Sequence, residues 1–478
     1  MLTIVQDYWV KIAIESNPTE EPWVGKLLLP EDLQEQWKFE LIRKSDSDNN
    51  PFSCEPPFRG KATVCGLLNF QTPCTLVYPL VTTTDPGSFG VYHSHQRQRI
   101  EGISQALVRQ AAIEDIEEPM FSGLRFSSDS FLAWYGHRGF DTTLAAGSEM
   151  RQTTALPQRL EAFRIAGFGH VTCRAGSAGH MSTWEDNFTS VASISIVFDE
   201  IQSLKDTMQW CWRFETLFQF LTGINTKWPE FTLVRSEQYS SGEQERNFEC
   251  ELIFGRAPYA QGGKAHPFEC CHYTGLGGAN LEHILANFCT SDSIYERIQV
   301  INYTRFAKRP MTEDFTAIMP ILEKYLRGNL VNSAEESFIQ HQKTFFDYID
   351  CSDNPDIVEF AKKHVVVKDK KAPSLKTLLW RAAGSVNASG FSISKNLITR
   401  VAARRGSLFH QGMGDGSDED SRRLWAEAEG AAALLSLCTY KDLGVDIAAL
   451  ERGRRGNCEI ANFFSRDAER DEISLGHE

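Results

Sequence analysis

The feature that most constrains this chain is a change of periodicity near residue 290. Before it, apolar residues come in short runs rich in β-branched and aromatic side chains, bounded by Gly, Pro, Asn and Asp. Such runs suit half-buried pleated strands. They fall at residues 9–14, 37–42, 62–68, 74–81, 121–132, 170–173, 192–198 and 248–254. Several succeed one another with no helix between them, which favours antiparallel sheets in a sandwich-like arrangement over a βαβ fold. One helix interrupts the series at 201–221, where Leu204, Met208, Cys211, Trp212, Leu217, Phe218 and Leu221 recur at helical spacing. Gly223 is its expected C-cap.

After about residue 290 the pattern is helical, over 294–305, 313–326, 334–349, 355–363, 374–383, 395–411 and 420–437. Asn332-Ser333 before Glu335-Glu336 supplies an N-cap and acidic residues in a first turn, and Pro373-Ser374 opens another helix. The last long helix is rich in Ala and Leu, which predicts deep burial. The chain is therefore expected to be α+β: a β-rich domain over 1–290, an all-α domain over 291–450, and a loose tail over 451–478 with alternating charges and glycines.

Composition narrows the function classes. At 478 residues, 42% hydrophobic and 11% aromatic, the chain can build large cores. No apolar run reaches the ~18 residues that span a bilayer, and the first residues lack the basic-then-apolar order of a signal peptide. Twelve cysteines are scattered without framework spacing, which predicts reduced thiols and a cytoplasmic location. A net charge of −14 opposes a whole-surface grip on nucleic acid. It leaves room for one local basic cleft.

Such a cleft is suggested at residues 404–412, Arg-Arg-Gly-Ser-Leu-Phe-His-Gln-Gly. Arg405 carries a permanent fork of donors that fits phosphate. His410 can take or give a proton near neutral pH. The two suffice to cleave RNA without a metal if the RNA supplies its own nucleophile. On an ideal helix, however, five residues turn the chain so that the pair lies about 140° apart. A loosened helix end near Gly406, or a second protomer, must then unite them. Arg404 and Arg400 share the helix and would extend a basic stripe, or form a solvated face; Ser407 sits within the motif. A Lys-rich stretch upstream, including Lys370 and Lys371, reads either as an RNA guide or as a solvated loop.

The helical half resembles the HEPN superfamily, whose hallmark is an Arg followed four to six positions later by a His, before the last long helix. Arg405-Gly406-Ser407-Leu408-Phe409-His410 carries that resemblance, with Leu397–Val401 leading in and Leu424-Trp425 opening the final helix. The first half resembles the β-rich domain that precedes HEPN in ApeA-like antiphage defence proteins. That likeness rests on Gly60 and Gly66, Cys74–Tyr78, the stretch 121–134 and the helix ending at Gly223. Two departures stand out: Gly406 replaces the family's usual Asn, Asp or His, and the helix over 338–349 only loosely matches the first conserved helix.

The resemblance implies a metal-independent endoribonuclease with no cofactor, in which the RNA 2′-OH attacks the adjacent phosphate. Arg405 would neutralise transition-state charge and His410 would act as general base or general acid. It also implies a homodimer that joins two motifs in one cleft, single-stranded RNA as substrate with transfer RNA named by family analogy, and a phage-derived trigger acting through the β-rich domain. The competing reading is an inactive HEPN scaffold that binds RNA, nucleotide or a phage protein. A carbohydrate-binding first domain is a third, but no carboxylate pair is placed for glycoside chemistry. His266, Cys270, Cys271 and His272 are close enough to suggest zinc but fit no standard spacing. Gly275-Leu-Gly-Gly278 lacks the lysine of a phosphate loop, and Tyr92-His-Ser-His95 reads as a polar loop.

Overall fold

A computed structural model describes residues 8–12, 23–28, 37–45, 60–69, 71–85, 96–135, 140–144, 151–155, 158–181, 186–223, 231–238, 245–254, 280–306, 310–331, 333–351, 354–364, 373–391, 393–411 and 418–452. The chain divides into two compact units, with the helix Leu281–Thr290 in the first and the residues from Ser291 onward in the second.

The first unit contains strands β1 (Tyr8–Ile12), β2 (Trp23–Leu28), β3 (Trp37–Ser45), β4 (Thr63–Leu68), β5 (Thr72–Val77), β6 (Leu80–Asp85), β7 (Gln96–Ser104), β8 (Ala106–Arg109) and β9 (Pro119–Phe126). They are followed by α1 (Asp129–Tyr135), β10 (Phe140–Leu144), β11 (Arg151–Ala155), β12 (Arg159–Ile165), β13 (Gly169–Met181) and β14 (Asp186–Ser203). Then come α2 (Leu204–Thr222), β15 (Phe231–Gln238), β16 (Glu245–Phe254) and α3 (Leu281–Thr290). Apart from the β10–β11 hairpin, the described strands join one 14-stranded sheet in the order β12-β13-β14-β9-β15-β16-β8-β5-β4-β1-β2-β3-β7-β6. Its neighbours pair antiparallel, as the sequence predicts. The expected sandwich instead takes the form of a single continuous sheet.

That sheet must curl. β16 and β3 are six strands apart in the order, roughly 29 Å along a flat sheet at ~4.8 Å per strand. Yet Trp37 Nε1 donates a hydrogen bond to the Ile253 carbonyl at 3.2 Å. Sheets of this width curl or split, and curling lets inward residues of distant strands share a core. Here Val10, Trp23, Leu27, Trp37, Phe39, Leu41, Leu76, Ile100 and Leu107 form one cluster, with Ile253 packed against it. One row of the register shows how tightly it closes. Val10 faces Gly25, Gly25 faces Leu41, and Leu41 faces Ile100. A Cβ on Gly25 would meet the Glu40 carbonyl oxygen at 1.8 Å, so no larger residue fits between these strands.

Helices line the other end of the sheet. α2 begins at Ser203, whose hydroxyl accepts the Asp206 N–H, and ends at Gly223 in the left-handed region (φ 71°), the cap expected from sequence. Its Phe214 and Phe218 pack tilted against Phe126 of β9, with centroids 6.0 and 6.4 Å away, and the Phe131 ring of α1 lies 4.8 Å from that of Phe218. Two predicted strands break where the chain turns. The run at 121–132 leaves the sheet after Phe126, because Ser128 caps α1 by accepting the Phe131 N–H. The run at 74–81 divides at Tyr78, whose φ of 49° cannot continue a strand.

The second unit comprises α4 (Asp292–Phe306), α5 (Met311–Leu330), α6 (Ser333–Asp350), α7 (Pro355–His364), α8 (Leu375–Asn387), α9 (Lys395–Gln411), α10 (Asp418–Asp442) and α11 (Ile447–Arg452). α10 is central, packing on α4, α5, α8, α9 and α11, while α6 and α7 pack on one another. Phe315, Ile318, Met319, Leu322 and Leu326 form the buried stripe of α5, spaced for one helix face. α11 runs through Glu451 and Arg452, two residues into the segment expected to be a loose tail; residues beyond lie outside those described. Among the described residues no helix is long and apolar enough to cross a membrane.

Candidate active site

α9 spans the residues predicted for it. Ser394 caps its start by accepting the Leu397 N–H at 3.1 Å. The turn before it is clamped by Asn387, whose side chain both accepts from the Ile393 N–H (2.8 Å) and donates to the Ile393 carbonyl (3.2 Å). Leu397, Ile398 and Val401 bury the inner face. Against them α10 carries Gly430, where an added Cβ would stand 2.8 Å from Leu397 Cδ1. The missing side chain lets the two helices approach closely.

The helix stays regular through the motif: Gly406 is helical, and nothing lies within 4 Å of where its Cβ would be. Of the two ways of uniting Arg405 with His410, a loosened helix end near Gly406 is not the one seen, because α9 continues to Gln411. The rise from residue 405 to 410 is about 7.5 Å along the axis. His410 lies in the last turn by its backbone; its side chain falls outside the described residues, as do Lys370 and Lys371 entirely.

The two adjacent arginines, about 100° apart around the helix, go to different neighbours. Arg404 reaches α10, where its Nε donates to Glu427 Oε2 at 2.7 Å; the side chains are 13% and 4% exposed. Arg405 reaches α5, where its Nη2 donates to Glu323 Oε2 at 3.1 Å, and it keeps 33% exposure. Arg404 is thus a structural anchor of α9. Arg405 is the one of the two that solvent, and hence a substrate, can approach. Arg400 is half-buried. Ser407 donates its hydroxyl to the Arg404 carbonyl at 3.0 Å and so serves its own helix.

Glu323 holds a second guanidinium. Arg327, one turn on in α5, donates to Glu323 Oε1 through Nε at 3.0 Å and Nη2 at 2.8 Å. Burial pulls the Glu323 carboxyl upward, but the Arg327 hydrogen bonds and the charges of Arg405 and Arg327 outweigh it and hold it below the usual carboxylate range. It is ionised at neutral pH. Glu323, Arg327 and Glu427 were not found from sequence. Glu427 had a weak signal: a carboxylate in an Ala- and Leu-rich helix expected to be deeply buried requires a partner, but Glu429 beside it carries the same signal. Glu323 had none, being 82 residues from Arg405.

Other reactive groups are quiet. Burial pushes the thiols of Cys74, Cys250 and Cys438 up to about 12, out of the nucleophilic range. No disulfide joins the described cysteines. No cluster of three His, Cys, Asp or Glu among the described residues is placed for a metal; His266, Cys270, Cys271 and His272 lie outside them, as do Tyr92-His-Ser-His95 and Gly275–Gly278. Arg297 and Asp442 pair at 2.8 Å and brace α4 to α10, with Tyr325 beneath the guanidinium at 4.5 Å.

No curated protein and no solved structure matches the chain. A family model, ApeA N-terminal domain 1, matches residues 17–270, which hold β2 through β16 with α1 and α2. That match supports an ApeA-like antiphage protein. Because it spans more than half of the chain, the protein belongs to the ApeA N-terminal domain 1 family.

Proposed function

We propose that the chain is an antiphage endoribonuclease of HEPN type, cutting single-stranded RNA without a metal. The observation that carries this reading is Arg405: a partly exposed guanidinium, braced on a regular helix, with His410 five residues further along. In the proposed reaction the RNA 2′-oxygen attacks the adjacent phosphorus as its proton passes to a base, and the 5′-oxygen leaves with a proton from an acid. The products are a 2′,3′-cyclic phosphate and a 5′-hydroxyl. Arg405 neutralises charge on the phosphorane-like transition state. One histidine cannot serve as base and acid in one step, so a homodimer supplies His410 twice. The β-rich unit takes the sensing role, with a phage-derived trigger, and abortive infection follows when RNA is cut. Transfer RNA is the proposed target class within single-stranded RNA, and the cytoplasm the proposed location.

The test is cleavage of labelled RNA by purified protein with and without chelator. Cleavage should persist with chelator, leave cyclic phosphate ends, and fall about 100- to 1,000-fold in Arg405→Ala and His410→Ala. Chelator-sensitive cutting, or full activity in His410→Ala, refutes the reading. A second reading, an inactive scaffold that binds RNA or a phage protein, is favoured by Gly406, which supplies no polar side chain beside Arg405. It is selected if both variants protect cells as well as wild type.

A further inference from the structure

An arginine held by a single carboxylate is a poor phosphate binder. The pair is neutral overall, and carboxylate competes with phosphate for the same donors. Arg405 is not in that situation. Glu323 is shared between Arg405 on α9 and Arg327 on α5, so the three groups carry one net positive charge. The sharing is also geometrically divided. Arg327 takes Oε1 through two nitrogens, whereas Arg405 meets Oε2 through one. Glu323 is the least exposed of the three at 17%, and Arg405 and Arg327 are 33% and 50% exposed. The carboxylate is therefore the inner post and the two guanidiniums face outward.

We propose that Arg327, Glu323 and Arg405 work as one unit on an RNA phosphate: Glu323 positions Arg405, and Arg327 keeps the unit cationic and adds a second phosphate contact. This rests on the ribonuclease reading above and names two residues of the site that the Arg-to-His motif does not contain. The physical case is preorganisation. A free arginine side chain has about 2 kcal/mol of rotamer entropy to lose on binding phosphate, and Glu323 removes much of that freedom beforehand. Arg327 satisfies Glu323 on its other oxygen, so Arg405 can shift toward phosphate without leaving a half-buried carboxylate alone.

The roles predict a split in kinetics. Glu323→Gln keeps size and shape but weakens the hold on Arg405; kcat should fall about tenfold with KM within about twofold. Arg327→Met keeps the apolar stem and loses the charge. Its KM should rise several-fold with kcat nearly unchanged, and the salt slope of RNA affinity should shrink by about 0.7, one phosphate on a single strand. The double variant Glu323→Gln with Arg405→Ala should be no slower than Arg405→Ala alone. Thermal midpoints accompany each variant. If Glu323→Gln melts below the assay temperature, Glu323→Asp, which keeps charge but shortens reach, decides by its kcat. If wild type cleaves RNA while Glu323→Gln (or Glu323→Asp in its place) and Arg327→Met match it, or the double variant shows multiplied losses, the unit is refuted and the ribonuclease reading stands. If wild type cuts no RNA, that reading falls and the proposal with it.

Discussion

In the strand-built unit Trp23, Trp37, Trp134, Tyr135 and eight phenylalanines are fully buried; in the helical unit Phe315 is the described aromatic buried to that degree. The helical core is instead made of Leu, Ile, Val and Ala, and its site helix is tied by Arg404–Glu427 and Arg405–Glu323. The difference is between area and direction. Aromatic burial is large and nearly isotropic, so it holds a wide sheet together without fixing any one side chain to a fraction of an ångström. Small residues let helices approach, and charged pairs then set the orientation of a functional side chain.

The largest effect should come from Phe214→Ala, which removes a ring touching Phe126, Phe168, Trp210 and Phe288. A loss of about 3–5 kcal/mol is expected, with faster amide exchange confined to residues before 290. Spread of that exchange into α9 and α10 breaks the contrast. Glu427→Ala removes the buried carboxylate to which the half-buried Arg404 donates and should cost about 3 kcal/mol, and its exchange signature should centre on α9. Gly430→Val overpacks against Leu397 and should cost about 2 kcal/mol, and it should lower the proposed ribonuclease activity as α9 shifts. At the small end, Gly406→Ala meets no neighbour within 4 Å and should raise stability by up to about 1 kcal/mol; destabilisation there means the helix is not regular at that turn. Acid offers a further check. Glu323 is held below the ordinary carboxylate range, so its stabilising contribution is present above about pH 4.3 and disappears as pH falls through the lowered value. The stability gap between wild type and Glu323→Gln should close in acid and stay constant around neutrality.

Local signals were legible in the sequence and distant ones were not. The bounds of α9 and the cap at Gly223 follow from residues a turn or two apart. β7 has no strand signal in the sequence because Gln96–Ser104 is mostly polar and charged, and β12 has only a short one because Arg159, Glu161 and Arg164 interrupt its apolar residues. The strand expected over 121–132 runs into the first turn of α1 because Phe131 and Leu132 suit either period until Ser128 is recognised as a cap. The site divides the same way. Arg405 and His410 lie within one short motif, whereas the carboxylates that distinguish Arg404 from Arg405 lie 23 and 82 residues away, on helices whose packing no local pattern encodes.

The hydrogen bond from Trp37 to Ile253 joins residues 216 apart. At about 5–20 residues per second of synthesis, that separation corresponds to roughly 10–40 s between the appearance of the two partners. For that interval Trp37, Phe39 and Leu41 have no β16 to close over them. The strand-built unit therefore completes its fold late on the ribosome and as a whole. A nascent chain stalled before residue 253 should bind holdase chaperones and be cut readily by protease, and one extended beyond α3 should resist both.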